Sequence, residues 1–288
     1  MKLGLGTVQF GLPYGIANKT GQLQRHEAKA MLQLAAEAGV DTLDTAIAYG
    51  ESESCLGEAG VQRFKLVTKL PSVPDDCADV SGWVQEQFAA SLARLGVTNV
   101  NALLLHRPEQ LLSSNGKAIY QALRDLQDKG QVQKLGVSIY APSELDAISK
   151  LFRIKLVQAP FNLVDRRLQT SGWMQRLKDE NIEIHTRSVF LQGLLLMPHA
   201  ALLPKFAPWN KLWERWQKWL LDHDVSAVQA CLAFPHAFPA IDRIVVGADS
   251  RDQLAQIIEA ASSTRPLDLP NLQSDDETLI TPSHWPKL

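Results

Sequence analysis

Short apolar runs alternate along the chain with longer stretches in which apolar side chains recur at helical spacing. The runs Leu3–Thr7, Asp41–Thr45, Lys65–Lys69, Val100–Leu105, Val132–Ser138, Leu156–Ala159, Ile182–Arg187 and Ile241–Val246 are too short for helices, which predicts eight strands. Between them the pattern predicts helices over Arg25–Ala38, Ser81–Leu95, Gly116–Lys129, Pro142–Leu151, Gly172–Glu180, Ser226–Phe234 and Ser250–Ala261. In the first of these Ala28, Met31, Leu32, Leu34 and Ala35 form the apolar stripe, and Gly39 ends it. Glu51-Ser52-Glu53-Ser54 supplies the serine and acidic side chains that cap a helix start and suit its positive end.

Strands alternating with helices argue for a parallel sheet with helical crossovers, and eight such units close a barrel. The predicted fold is therefore an α/β (β/α)8 TIM barrel. No linker-like stretch divides the chain, so one domain is expected over residues 1–288, with the barrel at about 3–262 and a tail at 263–288. The rhythm breaks once, at Ser188–His223, which holds Trp209, Trp213, Trp216 and Trp219. Within it Trp209–Leu221 predicts an extra amphipathic helix between the seventh strand and the next barrel helix. Its tryptophan spacing suits core packing better than a partner-binding surface. Pro266–Leu288 is proline-rich and shows no clear periodicity.

Composition removes several function classes. The net charge is -2, with none of the basic excess of a nucleic-acid binder. Cys55, Cys77 and Cys231 lie far apart, without C-x-x-C spacing, so neither a disulfide framework nor a zinc site is expected. His26, His185, His199, His223, His236 and His284 show no H-E-x-x-H or clustered ligand spacing, so no metal is expected. No run is long and apolar enough to cross a membrane, and a cytoplasmic location is expected. Gly4-x-Gly6 lacks the third glycine of a dinucleotide fingerprint, because Gln9 stands there.

Three apolar runs end on ionisable residues. Asp44 closes the second, Lys69 the third and His106 follows the fourth, while Tyr49 sits in the loop after the second. In a parallel barrel those ends converge on one mouth, where such folds place their chemistry. Taken singly, each has a structural explanation: a capping carboxylate, a rim tyrosine, a solvated lysine, a packed histidine. Together they form a constellation. A lysine at the apolar rim needs a counter-ion, which Asp44 supplies. An ammonium beside a phenol helps it give up its proton, and an imidazole can orient a carbonyl.

The segments DTAIAYG, TKL and LLLHRP, in that order, resemble the catalytic segments of the aldo-keto reductase superfamily. The resemblance implies a barrel that reduces an aldehyde or ketone with a nicotinamide cofactor, using Asp44, Tyr49, Lys69 and His106 as its tetrad. It extends to GLGTVQFG, which brings Thr7 to the cofactor, to LGVSIY with Ser138, and to LVQAPFNLVDR with Gln158, both implied to hold the nicotinamide carboxamide. Asp44 is counted with this cofactor set. TRSVFLQGLLL resembles the loop around the pyrophosphate, implicating Arg187, Ser188, Phe190, Gln192 and Gly193. IVVGADSRDQL resembles the loop that holds the adenosine phosphate, implicating Gly247, Asp249, Ser250 and Gln253. Gln9 and Arg107, together with Tyr49 and His106, are the expected substrate contacts, and Phe10 is placed beside the same mouth.

The sequence departs from the pattern at Ile139, where the family commonly has asparagine, and at Arg187, whose planar guanidinium replaces an aromatic ring. Gln256 and Ile257 replace an acid and an amide, and Arg251 is left as the one candidate for a 2'-phosphate. NADP(H) is the favoured cofactor, with NAD(H) also admitted. The loop Pro71–Asp79, the segment Ser188–Pro208 and the tail are expected to shape the pocket. The partner implied is a small-molecule carbonyl compound, and the VQFG-x-x-YGIAN opening suggests a sugar-derived one. The alternatives are a nicotinamide-nucleotide sensor without turnover and a cofactor-free barrel using Lys69 as a Schiff-base nucleophile.

Overall fold

The computed structural model describes residues 1–287; Leu288, the end of the predicted tail, lies outside the described residues. Eight parallel strands close on themselves in sequence order. They are β1 (Leu3–Gly6), β2 (Thr42–Asp44), β3 (Lys65–Leu70), β4 (Val100–Leu105), β5 (Val132–Ser138), β6 (Leu156–Pro160), β7 (Glu183–Arg187) and β8 (Arg243–Val246). The ring is sealed where Leu3, Gly4 and Leu5 pair with Ile244, Val245 and Val246. This is the (β/α)8 architecture expected from the alternation, with ends that differ by a residue or so.

Strand parity decides what faces inward. Successive side chains point to opposite faces, so Val67 and Lys69 share the barrel interior while Leu66, Thr68 and Leu70 face the helices. Val67, Ala102, Leu104 and Leu156 form a small apolar layer of their own, separate from the large core between sheet and helices. Gly136 makes that layer possible, since a Cβ there would stand 2.3 Å from the Leu156 carbonyl oxygen and 2.6 Å from Leu104. Above the layer, inward positions of β2, β3, β5, β6 and β7 carry Asp44, Lys69, Ser138, Gln158 and Arg187. The interior is thus greasy in the middle and polar at the C-terminal mouth.

Barrel helices run over Arg25–Glu37, Ser52–Ala59, Val80–Leu95, Gly116–Asp128, Leu145–Leu151, Trp173–Asp179, Ala227–His236 and Arg251–Ser262. Their starts follow local chemistry: Asp79 accepts from the Gly82 N–H, and Ser226 and Gln229 form a reciprocal capping box. One cap expected from sequence is absent. The helix Ser52–Ala59 has no side-chain cap, because Ser52 and Glu53 are buried and committed elsewhere.

The extra helix is Asn210–His223, with Trp213, Trp216 and Trp219 buried. Their indole N–H groups donate to the carbonyls of Phe206, Leu195 and Asp268 respectively, so each tryptophan fills the core and also pins an irregular segment. The tail is ordered against this helix. It has a helical turn at Glu277–Ile280 and buries Leu272, Leu279, Ile280 and Trp285. Isolated large side chains hold it, which is why no periodic stripe marks it in the sequence.

Candidate active site

A hydrogen-bonded chain crosses the mouth of the barrel. Lys69, wholly buried, donates from Nζ to Asp44 Oδ1 at 2.7 Å and to the Thr45 carbonyl at 2.8 Å. The other carboxylate oxygen, Asp44 Oδ2, accepts from Gln158 Nε2 at 2.6 Å, and Gln158 Oε1 accepts from Ser138 Oγ at 3.3 Å. Four side chains from β2, β3, β5 and β6 are therefore tied through one buried carboxylate. Burial alone opposes the Lys69 charge, but Asp44 and Tyr49 more than offset it, and its pKa stands above the ordinary lysine value. A Schiff-base nucleophile needs a neutral amine, so this environment does not suit Lys69 to that chemistry.

Tyr49 and His106 complete the group. The Lys69 ammonium lies 5.0 Å from the centroid of the Tyr49 ring, and Tyr49 and His106 meet edge to face at 5.7 Å. His106 continues the ladder past β4, its N–H donating to the Leu70 carbonyl. Its pKa is lowered to about 4, by burial first and then by the charges of Lys69 and Arg187, with Asp44 opposing. At neutral pH it is an uncharged imidazole.

Backbone contacts set where Tyr49 stands. A Cβ on Gly11 would fall 1.8 Å from the Tyr49 carbonyl oxygen, and Gly50, at φ 54°, closes against Gly11 from the other side. Ser52 Oγ donates to the Thr7 carbonyl, and Thr7 Oγ1 donates to the Asp44 carbonyl. Glu53 anchors the following helix by accepting from Thr68 on β3, from Ser91, and twice from Arg94. Since Thr68 precedes Lys69, one carboxylate fixes the helix after Tyr49 to the strand that carries Lys69.

A cavity of about 610 Å³ opens beside these residues, within the range of small-molecule and cofactor sites. Thr7, Gln9, Asp44, Tyr49, His106, Ser138, Gln158, Arg187, Ser188, Phe190, Gln192, Gly193, Gly247, Asp249 and Gln253 line it, as the sequence suggested. Ser188, Leu191 and Gln192 all adopt positive φ without being glycine, a concentration of backbone strain of the kind found at ligand clamps.

The wall does not include every residue expected at the site. Lys69, paired with Asp44 as expected, lies behind it. Ser250 is spent as the N-cap of Arg251–Ser262, accepting from the Gln253 N–H. Arg107 stands outside the wall, over half exposed, with its guanidinium above Tyr140 at 5.6 Å. Phe10 is core. Gln9 lines the cavity but lies against the β8 loop, 2.6 to 2.8 Å from where a Gly247 Cβ would be. Neither Pro71–Asp79 nor the described tail contributes to the wall; only Ser188, Val189, Phe190, Gln192, Gly193 and Leu196 of the long irregular segment do.

Other wall residues escaped the sequence reading. Tyr140 lies under the Arg187 guanidinium at 4.9 Å, so that planar group covers a ring of the chain itself. Tyr14 accepts from Gln192 Nε2, and Asn18 donates to Asp249 Oδ1 at 3.2 Å, carrying the loop after β1 across to the loops after β7 and β8. Tyr14 and Asn18 lie in YGIAN and Tyr140 ends LGVSIY, segments quoted in the sequence reading without a site role for these residues.

A closed parallel barrel with its polar constellation at the C-terminal mouth defines the (β/α)8 proteins that work on small ligands through their strand-end loops. The chain belongs to the aldo/keto reductase family, an oxidoreductase family whose profile matches residues 2–270. Oxidoreductase sirO of Leptosphaeria maculans is 29% identical over 215 residues, which cover 71% of this chain and a little under two thirds, 64%, of that protein. Uncharacterized oxidoreductase YqkF of Bacillus subtilis is 24% identical over 286 residues, covering 92% of this chain and 88% of its own. Among solved structures, the holo form of aldo-keto reductase AKR11C1 from Bacillus halodurans superposes with a TM-score of 0.73 at 20% identity, over 92% of this chain and 88% of that one. At that identity the likeness is one of fold.

Proposed function

We propose that the protein reduces an aldehyde or ketone to the alcohol, with a nicotinamide cofactor bound in the cavity. One observation carries this reading: a buried ammonium, held by Asp44, stands beneath a phenol that faces a neutral imidazole on the cavity wall. The residues present fit such a cofactor. The wall offers Ser138 and Gln158 to an amide, strained loop backbone at Ser188–Gly193 to phosphates, and an unsatisfied buried acceptor, Gln9 Oε1, to a ribose. When bound, the cofactor supplies hydride to the carbonyl carbon.

The chain supplies the proton and the geometry. Tyr49 donates its phenolic proton to the carbonyl oxygen as charge develops there. Lys69, fixed between Asp44 and the Thr45 carbonyl, stabilises the phenolate left behind. His106, uncharged, donates an N–H to the same oxygen and turns the carbonyl toward the phenol. Tyr49 then recovers its proton from solvent. Asp44 has two tasks, holding Lys69 on one oxygen and Gln158 on the other, so the lysine beside the phenol and the amide-binding side chains are tied through one carboxylate.

Reduction of a simple aldehyde by the whole chain tests this. Tyr49→Phe is expected to lower kcat by about a hundredfold or more while leaving cofactor affinity within about twofold. Cofactor binding without any turnover in the wild type supports a nucleotide sensor instead. Borohydride trapping of substrate on Lys69 supports the cofactor-free barrel.

A further inference from the structure

The cavity is charged unevenly. Arg187 is the one lysine or arginine on its wall among the described residues, and it sits near His106 and Tyr140, at the reacting end. The other end is built from the β8 loop and the first turns of Arg251–Ser262, where Gly247, Asp249, Gln253, Gln256 and Ile257 face the space. These include one carboxylate and no base. Asp249 forms no ion pair among the described residues; its Oδ1 accepts from Asn18 and its own N–H donates to Gln253. The nearby Arg251 is exposed, lies off the wall, and has its backbone N–H on Glu27 Oε1.

We propose that this end of the cavity takes an adenosine ribose with a free 2'-hydroxyl, so that the protein uses NADH in preference to NADPH, with Asp249 as the deciding residue. The proposal rests on the reductase reading, which puts the nicotinamide beside Tyr49 and His106 and so sends the adenosine to the β8 end. A hydroxyl donates a hydrogen bond to a carboxylate, the device by which dinucleotide sites read a ribose diol. A phosphate monoester there carries about -1.5 to -2 charges at pH 7 and would face Asp249 with no cation between them.

Gln9, whose side chain lies beside Asp249, points the same way. It is 8% exposed, it lies against Gly247, and its Oε1 has no hydrogen-bond partner. A buried acceptor left open calls for a donor, which a hydroxyl provides and a phosphate dianion does not. Asp249 and Gln9 Oε1 are therefore two acceptors placed together at this end.

Titration of the whole chain with NADH and with NADPH, followed by quenching of tryptophan fluorescence and by calorimetry, tests the inference without a substrate. The dissociation constant for NADH is expected to be at least about tenfold lower than for NADPH, a difference of about 1.4 kcal/mol. Asp249→Asn, which keeps the side chain's shape, should shrink that ratio by about threefold or more, and Asp249→Arg should reverse it. Equal or tighter binding of NADPH by the wild type overturns the proposal but leaves the reductase reading standing. So does an unchanged ratio in a folded Asp249→Asn protein. Binding of neither nucleotide removes both.

Discussion

At the scale of the residue, environment rather than identity sets the chemistry. A histidine after a strand normally titrates near neutrality, yet His106, buried and crowded by Lys69 and Arg187, remains uncharged down to about pH 4. The acid limb of kcat/KM that belongs to His106 is therefore expected near pH 4; a limb near pH 6.5 that disappears in His106→Gln would contradict this. Glu53 makes the complementary point. It reads from sequence as a capping acid, but it is 1% exposed and joins Thr68, Ser91 and Arg94. Replacing it with alanine strands three donors, one of them a guanidinium, and is expected to cost about 2–4 kcal/mol in urea unfolding. Glu53→Gln should cost less than half as much. The residue types at the mouth were legible because each follows a recognisable strand. The pairing of Lys69 with Asp44 was legible with them; the second partner of Asp44 was not, because Gln158 reaches it across 114 positions of sequence.

At the scale of the element, the β–loop–helix unit from Thr42 to Ala59 shows how little slack the site has. Its turn is clamped on one side by Gly11 and on the other by the Glu53 anchor. Gly11→Ala would put a methyl group 1.8 Å from the Tyr49 carbonyl oxygen, so the turn must shift. Misplacing a proton donor by an ångström can cost about a hundredfold, and a fall of that order in kcat is expected, with circular dichroism unchanged. The tryptophan helix was found from its spacing, and core packing was the better reading of it. What spacing could not say is that Trp216 holds the Leu195 carbonyl, in the loop that lines the cavity, and Trp219 the tail. The tail itself was expected at the pocket and lies elsewhere, since a segment without periodicity gives no direction in which to dock it.

At the scale of the whole molecule, the two ends of the barrel have different work. The N-terminal end carries ion pairs that join separate strands, Asp41 with Lys65 and Arg243, and Glu183 with Lys134, while His185 hydrogen-bonds Glu183 within β7. For Asp41, burial is outweighed by its hydrogen bonds to Lys65, Thr42 and Arg243; for Glu183, the bond to His185 leads, aided by Lys134; both pKa values fall to about 2. Carboxylates depressed in the folded state stabilise it above their unfolded values and lose that contribution as pH falls through the folded ones. His106, also depressed, acts in the same direction at higher pH. The urea midpoint is therefore expected to decline from about pH 6.5 and more steeply below about pH 4.5; a flat profile between pH 6.5 and 4 would contradict the account. Periodicity, run length and the polar residue at each strand end determined, from the sequence alone, the eight-stranded barrel, its extra helix and the four residues gathered at its mouth. Those properties are local, written in the spacing of neighbours. Only the tertiary structure decided that Asp44 is shared between Lys69 and Gln158, that Glu53 is an anchor, and that Arg107 and Ser250 stand off the wall. It also decided that Asp249, without an ion pair among the described residues, lies at the far end of the cavity. Charges act through space, and which of them meet depends on the closure of the ring, which brings Leu3 beside Ile244 and the loop after β1 beside the loop after β8.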